Sequence, residues 1–140
     1  MRKELVKLDN FRVYAKFLYE NYLDDLVKAD IKRSYELDLP LLKLFANLSE
    51  EQLFQVSKAG VEEYLLQVIE DNYYEAIIKN NNDWREDRLT IPRDKVVASD
   101  LALIYNVRKY SLIGFLPKYT KEPEQMVKIL KEIEDFYTFQ

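Results

Sequence analysis

Apolar residues recur at three- and four-residue steps along most of this 140-residue chain, and little interrupts them: four prolines, at positions 40, 92, 117 and 123, and two glycines, Gly60 and Gly114. A helix completes a turn in about 3.6 residues, so this spacing gathers the apolar side chains on one face. A chain so poor in turn-formers has few places to reverse, and its elements are expected to be long. No segment alternates with the two-residue period of a strand, and no repeat or low-complexity tract is present. The expected fold is all-α, a bundle of about five to six helices in a single domain over residues 1–140. A chain of this length buries roughly two thirds of its unfolded surface, enough for a core without disulfide or metal staples.

The punctuation predicts where helices begin and end. Phe11, Tyr14, Phe17, Leu18, Tyr22, Leu26, Ile31, Tyr35 and Leu37 keep helical register from Asp9, a suitable N-cap, and make one long helix or two short ones. Pro40 then opens a brief apolar segment, read as a short helix over residues 40–47. Ser49-Glu50-Glu51-Gln52 is a capping box, in which the Ser oxygen accepts from a free amide and Gln52 reaches back. From there Leu53, Val56, Gly60, Tyr64 and Val68, continuing to Ile77, predict a long helix that ends at Asn80-Asn81-Asn82. The polar stretch DWREDRLTIP reads as a loop, with Pro92 in the first turn of the next helix and Asp94 favourably placed for its dipole. That helix, over about residues 93–116, has Val97, Leu101, Ile104, Tyr105, Leu112, Phe115 and Leu116 on one side and Leu103, Val107, Tyr110 and Gly114 on another. A helix apolar nearly all round is expected at the centre of the bundle. Pro117 closes it, Thr120 is placed to cap the last helix, and Pro123 fits that helix's first turn.

Composition narrows the chemistry. The net charge of −4 gives no general attraction to nucleic acid or to an anionic membrane. There is no Cys, which removes disulfides, thiolate metal sites and cysteine nucleophiles, and no His, which removes the usual haem ligand, the Ser-His-Asp triad and the common zinc sites. A glycine-rich phosphate loop is also missing. Most familiar enzyme chemistry is thereby removed, though carboxylate-only metal sites and glycosidase-like carboxylate pairs survive the exclusion in principle; the expectation is a domain without catalytic activity, resident cofactor or metal. The N-terminal MRKELVKLDNF lacks the continuous apolar run of a signal peptide, and no stretch reaches the ~18 apolar residues of a membrane span, so a cytoplasmic location is expected.

Two polar residues on the penultimate helix are candidates for a ligand site or a buried polar site. Arg108 lies between Ile104 and Leu112 on the apolar side, where an enclosed guanidinium needs a partner: a ligand anion, a structural carboxylate, or water reached by its flexible stem. Asp100 is either a polar group in a pocket or, following Ser99, part of a helix start or bend. Eleven tyrosines and seven phenylalanines either pack the core or line a cavity for a small apolar ligand. Trp84 is an interface anchor or tacks its loop onto the body. Glu50-Glu51, Glu62-Glu63 and Glu132 with Glu134 and Asp135 read as solvated faces, since neighbouring residues on a helix diverge.

The chain ends in KILKEIEDFYTFQ, which carries no helix-stop residue. Met126, Leu130, Ile133 and Tyr137 form a seam at four- and three-residue steps, suited to pairing with a second copy, to transmitting a change along the helix, or to packing into the domain's own core. Three stretches carry a wider likeness. ENYLDDLVKADIKRSYELDLPLLKLFANLSEEQLFQ, IPRDKVVASDLALIYNVRKYSLIGFLPKYT and the closing EIEDFYTF resemble the N-terminal region that precedes PAS and kinase modules in cytoplasmic sensor histidine kinases of the Bacteroidetes type. The order of helices is similar to the N-terminal domain of RsbR-type stress regulators, a globin-like fold without haem. The resemblance implies a homodimeric sensory input domain of a two-component system. Its last helix, over about residues 121–140, would run on as a connector into a PAS or kinase module, and the signal would be an unknown small molecule or a partner. It carries over no catalytic residue. A reading from another class is a free-standing helical adaptor that binds a protein through an exposed apolar patch.

Overall fold

A computed structural model describes residues 7–70 and 98–138, and among these every regular element is a helix. The all-α bundle expected from the spacing is the fold. In chain order the elements are α1 (Asp9–Asn21), α2 (Leu23–Glu36), a 3-10 helix (Pro40–Phe45), α3 (Glu50–Ile69), α4 (Ala98–Gly114), the single turn α5 (Leu116–Tyr119) and α6 (Pro123–Thr138). The predicted extension of the third helix to Ile77, the Asn80–Asn82 stop, Trp84, and the caps at Pro92 and Asp94 lie outside the described residues.

The first helical stretch is two helices. They meet at Tyr22, whose backbone leaves the helical region while Tyr22 N–H still bonds Leu18 O and Leu26 N–H bonds Tyr22 O. The ring holds the bend in place between Phe17 and Phe115, at centroid distances of 5.6 and 5.8 Å. Asp9 is not the N-cap: Leu8 occupies that position, and Asp9 pairs with Arg12 at 3.5 Å. The free amides of the first turn go to a carboxylate from α6 instead, a partner that no local pattern announces. α2 ends in a Schellman arrangement. Asp38 takes the left-handed conformation (φ 49°), Leu39 N–H bonds Ser34 O and Asp38 N–H bonds Tyr35 O. The capping box at Ser49 and Gln52 is present with both bonds, at 3.1 and 2.9 Å. Pro123 opens the last helix as expected, but Thr120 is not its cap: Glu122 holds the cap position, its carbonyl accepting from Met126 N–H, while Thr120 ends the preceding turn and its Oγ1 accepts from Glu122 N–H at 3.2 Å.

The core lies where α1, α3 and α6 meet, closed on one side by α2 and α4. Phe11, Tyr14, Ala15 and Leu18 of α1 are wholly buried and form its core face, while Val13, Lys16 and Glu20 on the opposite side are exposed. The expectation that the helix over residues 93–116 runs through the centre is corrected. α4 leaves Ala102, Asn106, Tyr110, Ile113 and Gly114 exposed and packs chiefly against α2. Tyr110 contributes to the apolar count but stays at the surface, with the Arg33 guanidinium stacked 4.0 Å above its ring.

α6 lies against α1, and Ile129, Ile133, Phe136 and Tyr137 are buried as far as its last turn. Met126 and Leu130 are half-buried and pack on the same cluster. Of the readings of this seam, packing into the domain's own core is the one the structure shows. The apolar stripe of α6 is matched by the one on α1.

Candidate ligand-binding site

A cavity of about 200 Å³ opens between α2, the 3-10 helix, α3 and α4. Its walls are largely apolar: Ile31 of α2, Leu42 and Phe45 of the 3-10 helix, Val56 and Val61 of α3, and Ile104 and Val107 of α4 all face it. The local sequence explains the shape. Pro40 forces the chain into a tight 3-10 turn after the Schellman stop, and this holds Phe45 at the rim of a gap between two helices. Gly60 leaves room beside the Arg108 guanidinium, where an added Cβ would lie 3.9 Å from Nη2.

One end of the cavity is charged. Asp30 from α2 and Arg108 from α4 both line it. Asp30 is 7% exposed, and its Oδ1 has no hydrogen-bond partner. Burial pushes the carboxyl up to about 6, against the opposing pull of the Ser111 hydroxyl and the Arg108 charge. Ser111 stands close enough to favour the ionised form, yet its Oγ has no partner in good hydrogen-bonding geometry. Arg108 sits 4.9 Å over the Tyr64 ring and belongs to none of the ion pairs among the described residues. Of the partners open to it from the sequence, a structural carboxylate is not the one found among the described residues; an aromatic face lies beside it instead.

Behind this charged end lies a second layer. The buried hydroxyls of Tyr64 (α3) and Tyr137 (α6) also lack partners. Burial raises both phenols, and the Asp30 charge adds to the rise while Arg108 opposes it. α2, α3, α4 and α6 thus each bring an incompletely bonded polar group to one region. Buried polar atoms are nearly always paired with protein, water or ligand, so a cluster of this kind marks a place where a small molecule or ordered water completes the bonding. An apolar cavity with a few converging polar groups is the usual form of a small-molecule site.

The residues expected from sequence fare differently. Arg108 is at the site. Asp100 lies in the first turn of α4, with its side chain outside what the structure describes. Tyr137, expected as an output residue, is placed by burial in the second polar layer. Asp30 was missed, because a lone Asp in a helix rich in charge looks solvated; its position one residue before Ile31 and four before Ser34 was the available signal. No cluster of His, Cys, Asp and Glu suited to a metal occurs among the described residues, and no described helix is long and apolar enough to cross a membrane. Compared with protein-family models, curated proteins and solved structures, the chain matches none.

Proposed function

We propose that this chain is a non-catalytic sensory domain whose input is a small molecule bound in the α2–α3–α4 cavity and whose output is the seating of α6. One observation carries the reading: a buried carboxylate and a guanidinium share the wall of an apolar cavity without pairing with each other. A structural ion pair would have closed that gap, since leaving either charge unmatched is costly. The Tyr137 hydroxyl feels both charges, which supports a route from the cavity to the last turn of α6. A ligand that neutralises or bridges Asp30 and Arg108 alters the field at Tyr137, and a packed helix answers by shifting between discrete seatings.

The likeness to the input regions of cytoplasmic sensor histidine kinases supports the rest of the proposal. A globin-like arrangement without haem, assembly as a homodimer, and continuation of α6 into a PAS or kinase module are parts of it. With Ile133 and Tyr137 in the core, a dimer would form through outward faces of the bundle rather than through the seam. Tyr110 and Ile113, exposed three residues apart on α4, favour the adaptor reading as the alternative.

The test is a fragment screen by protein-observed NMR. The sensory reading expects hits that shift the amides of Ile31, Ser57 and Gly60, are lost in a cavity-filling Ser57→Phe variant, and change hydrogen exchange in residues 133–138. Hits confined to the Tyr110–Ile113 face of α4 would favour the adaptor, and hits at the cavity without any response in α6 would remove the proposed output.

A further inference from the structure

We infer that the ligand is a small neutral amide, with its N–H turned to Asp30 and its carbonyl to Arg108. The inference rests on the reading of the cavity as a ligand site and adds the chemistry of what enters. Asp30 Oδ1 is an unused acceptor, buried and at the cavity wall, and Arg108 presents guanidinium donors free of any ion pair among the described residues. A head that satisfies both must donate and accept side by side. A carboxylate would suit Arg108 but meet the like charge of Asp30 in a poorly solvated place, and an ammonium would suit Asp30 but meet Arg108. An amide, lactam or urea meets both groups and brings no net charge. The remaining walls are apolar, so the body behind the head is hydrocarbon or aryl.

Size sets a second limit. A dry apolar cavity of about 150 Å³ takes benzene, and ordinary ligand pockets begin near ~300 Å³. The cavity here, about 200 Å³ and open on one side, suits a six-carbon body with its head, and any larger ligand would extend out through its mouth.

The experiment compares four matched probes at pH 7.5, followed by the amide shifts of Ser57 and Gly60: benzamide, benzoate, benzylammonium and toluene. Benzamide is expected to bind at least about tenfold more tightly than each of the others, the scale of one charge-assisted hydrogen bond. Asp30→Asn removes the like charge while keeping an acceptor, so it should raise benzoate affinity about tenfold or more and leave benzamide within a few-fold. Arg108→Met should weaken benzamide about tenfold while leaving toluene unchanged. Benzoate or benzylammonium binding the native chain as well as benzamide does would overturn the amide assignment and leave the cavity a ligand site. Toluene equalling benzamide would show that the charged end takes no part, with the same consequence. Failure of all four to bind, with the folded spectrum intact, would overturn both the assignment and the ligand-site reading beneath it.

Discussion

Glu132, on the last helix, caps the first helix at Asn10: its Oε1 accepts from the Asn10 backbone N–H at 2.9 Å and its Oε2 from the Asn10 side-chain amide at 2.6 Å. Oε1 also accepts from Phe11 N–H at 3.1 Å. Two of the free donors at the start of α1 are thereby satisfied by a carboxylate 122 residues away, and its negative charge lies at the positive end of the α1 dipole. The bond locks α6 to α1 in register and accounts for the absence of any cap on the α1 side.

Glu132→Ala is expected to destabilise the domain by about 1–3 kcal/mol, since it removes a charge-assisted cap from a half-buried helix start. Glu134→Ala, on the exposed face two residues on, should stay within about 0.5 kcal/mol. Urea unfolding of both variants measures the contrast; equal midpoints would deny Glu132 its role.

Asp30 makes the fold sensitive to pH in an unusual direction. Its carboxyl rises from 3.8 to about 6 on burial, so between those values the folded chain keeps a proton that the unfolded chain has released. Stability therefore falls as pH rises through this window and stays lowered above it, by about 3 kcal/mol at the conversion of 1.36 kcal/mol per pH unit. Charges facing Asp30 come from Arg108 and hydroxyls from Ser111 and Tyr64, and the phenols stay neutral throughout this range. Asp30→Asn should raise stability at pH 7.5 and flatten the decline between pH 4 and 6 to which Asp30 contributes, in denaturant titrations at fixed ionic strength. A variant that declines as steeply as the native chain would rule Asp30 out as the source.

Tyr14 donates its hydroxyl to Leu112 O, a carbonyl in the last turn of α4, where the helical ladder is running out. Tyr14→Phe should cost about 1–3 kcal/mol, because the carbonyl is left buried without that partner. The loss should also show as faster amide exchange in α5 and the end of α4, ahead of the rest of the domain.

Gly60 sits in the interior of α3 with a helical backbone and open contact distances around its missing Cβ. Gly60→Ala should stabilise the fold by about 0.5–1 kcal/mol through the lower entropy of the unfolded chain. A lower melting temperature would mean that Arg108 needs the space.

Ile133→Ala distinguishes a core seam from a dimer seam. Its side chain is wholly buried in the single chain, so truncation should cost about 2–5 kcal/mol at every protein concentration. A loss that diminishes as concentration rises would mean that a second copy shields this residue. Light scattering on the native chain checks the proposed homodimer independently, and a monomer at high micromolar concentration would remove it.

Much of the architecture was written locally. Helical spacing and the scarcity of glycine and proline sufficed for an all-α fold, Ser49 and Gln52 for the start of α3, and Pro123 for the first turn of α6, because each depends on residues within one turn of one another. Whatever depends on which face meets which partner had to wait for the tertiary structure. Periodicity marked Met126, Leu130, Ile133 and Tyr137 as a stripe, but only the apposition of α1 shows that the stripe belongs to the core. Arg108 could be flagged from its apolar neighbours, whereas Asp30 could not, since its burial arises from α3 and α4 closing over α2. Glu132 looked like one more solvated acid and caps a helix at the other end of the chain. Local rules act through backbone geometry within a few residues; caps, cavities and unpaired charges are set by distances across the bundle, which a linear pattern does not contain.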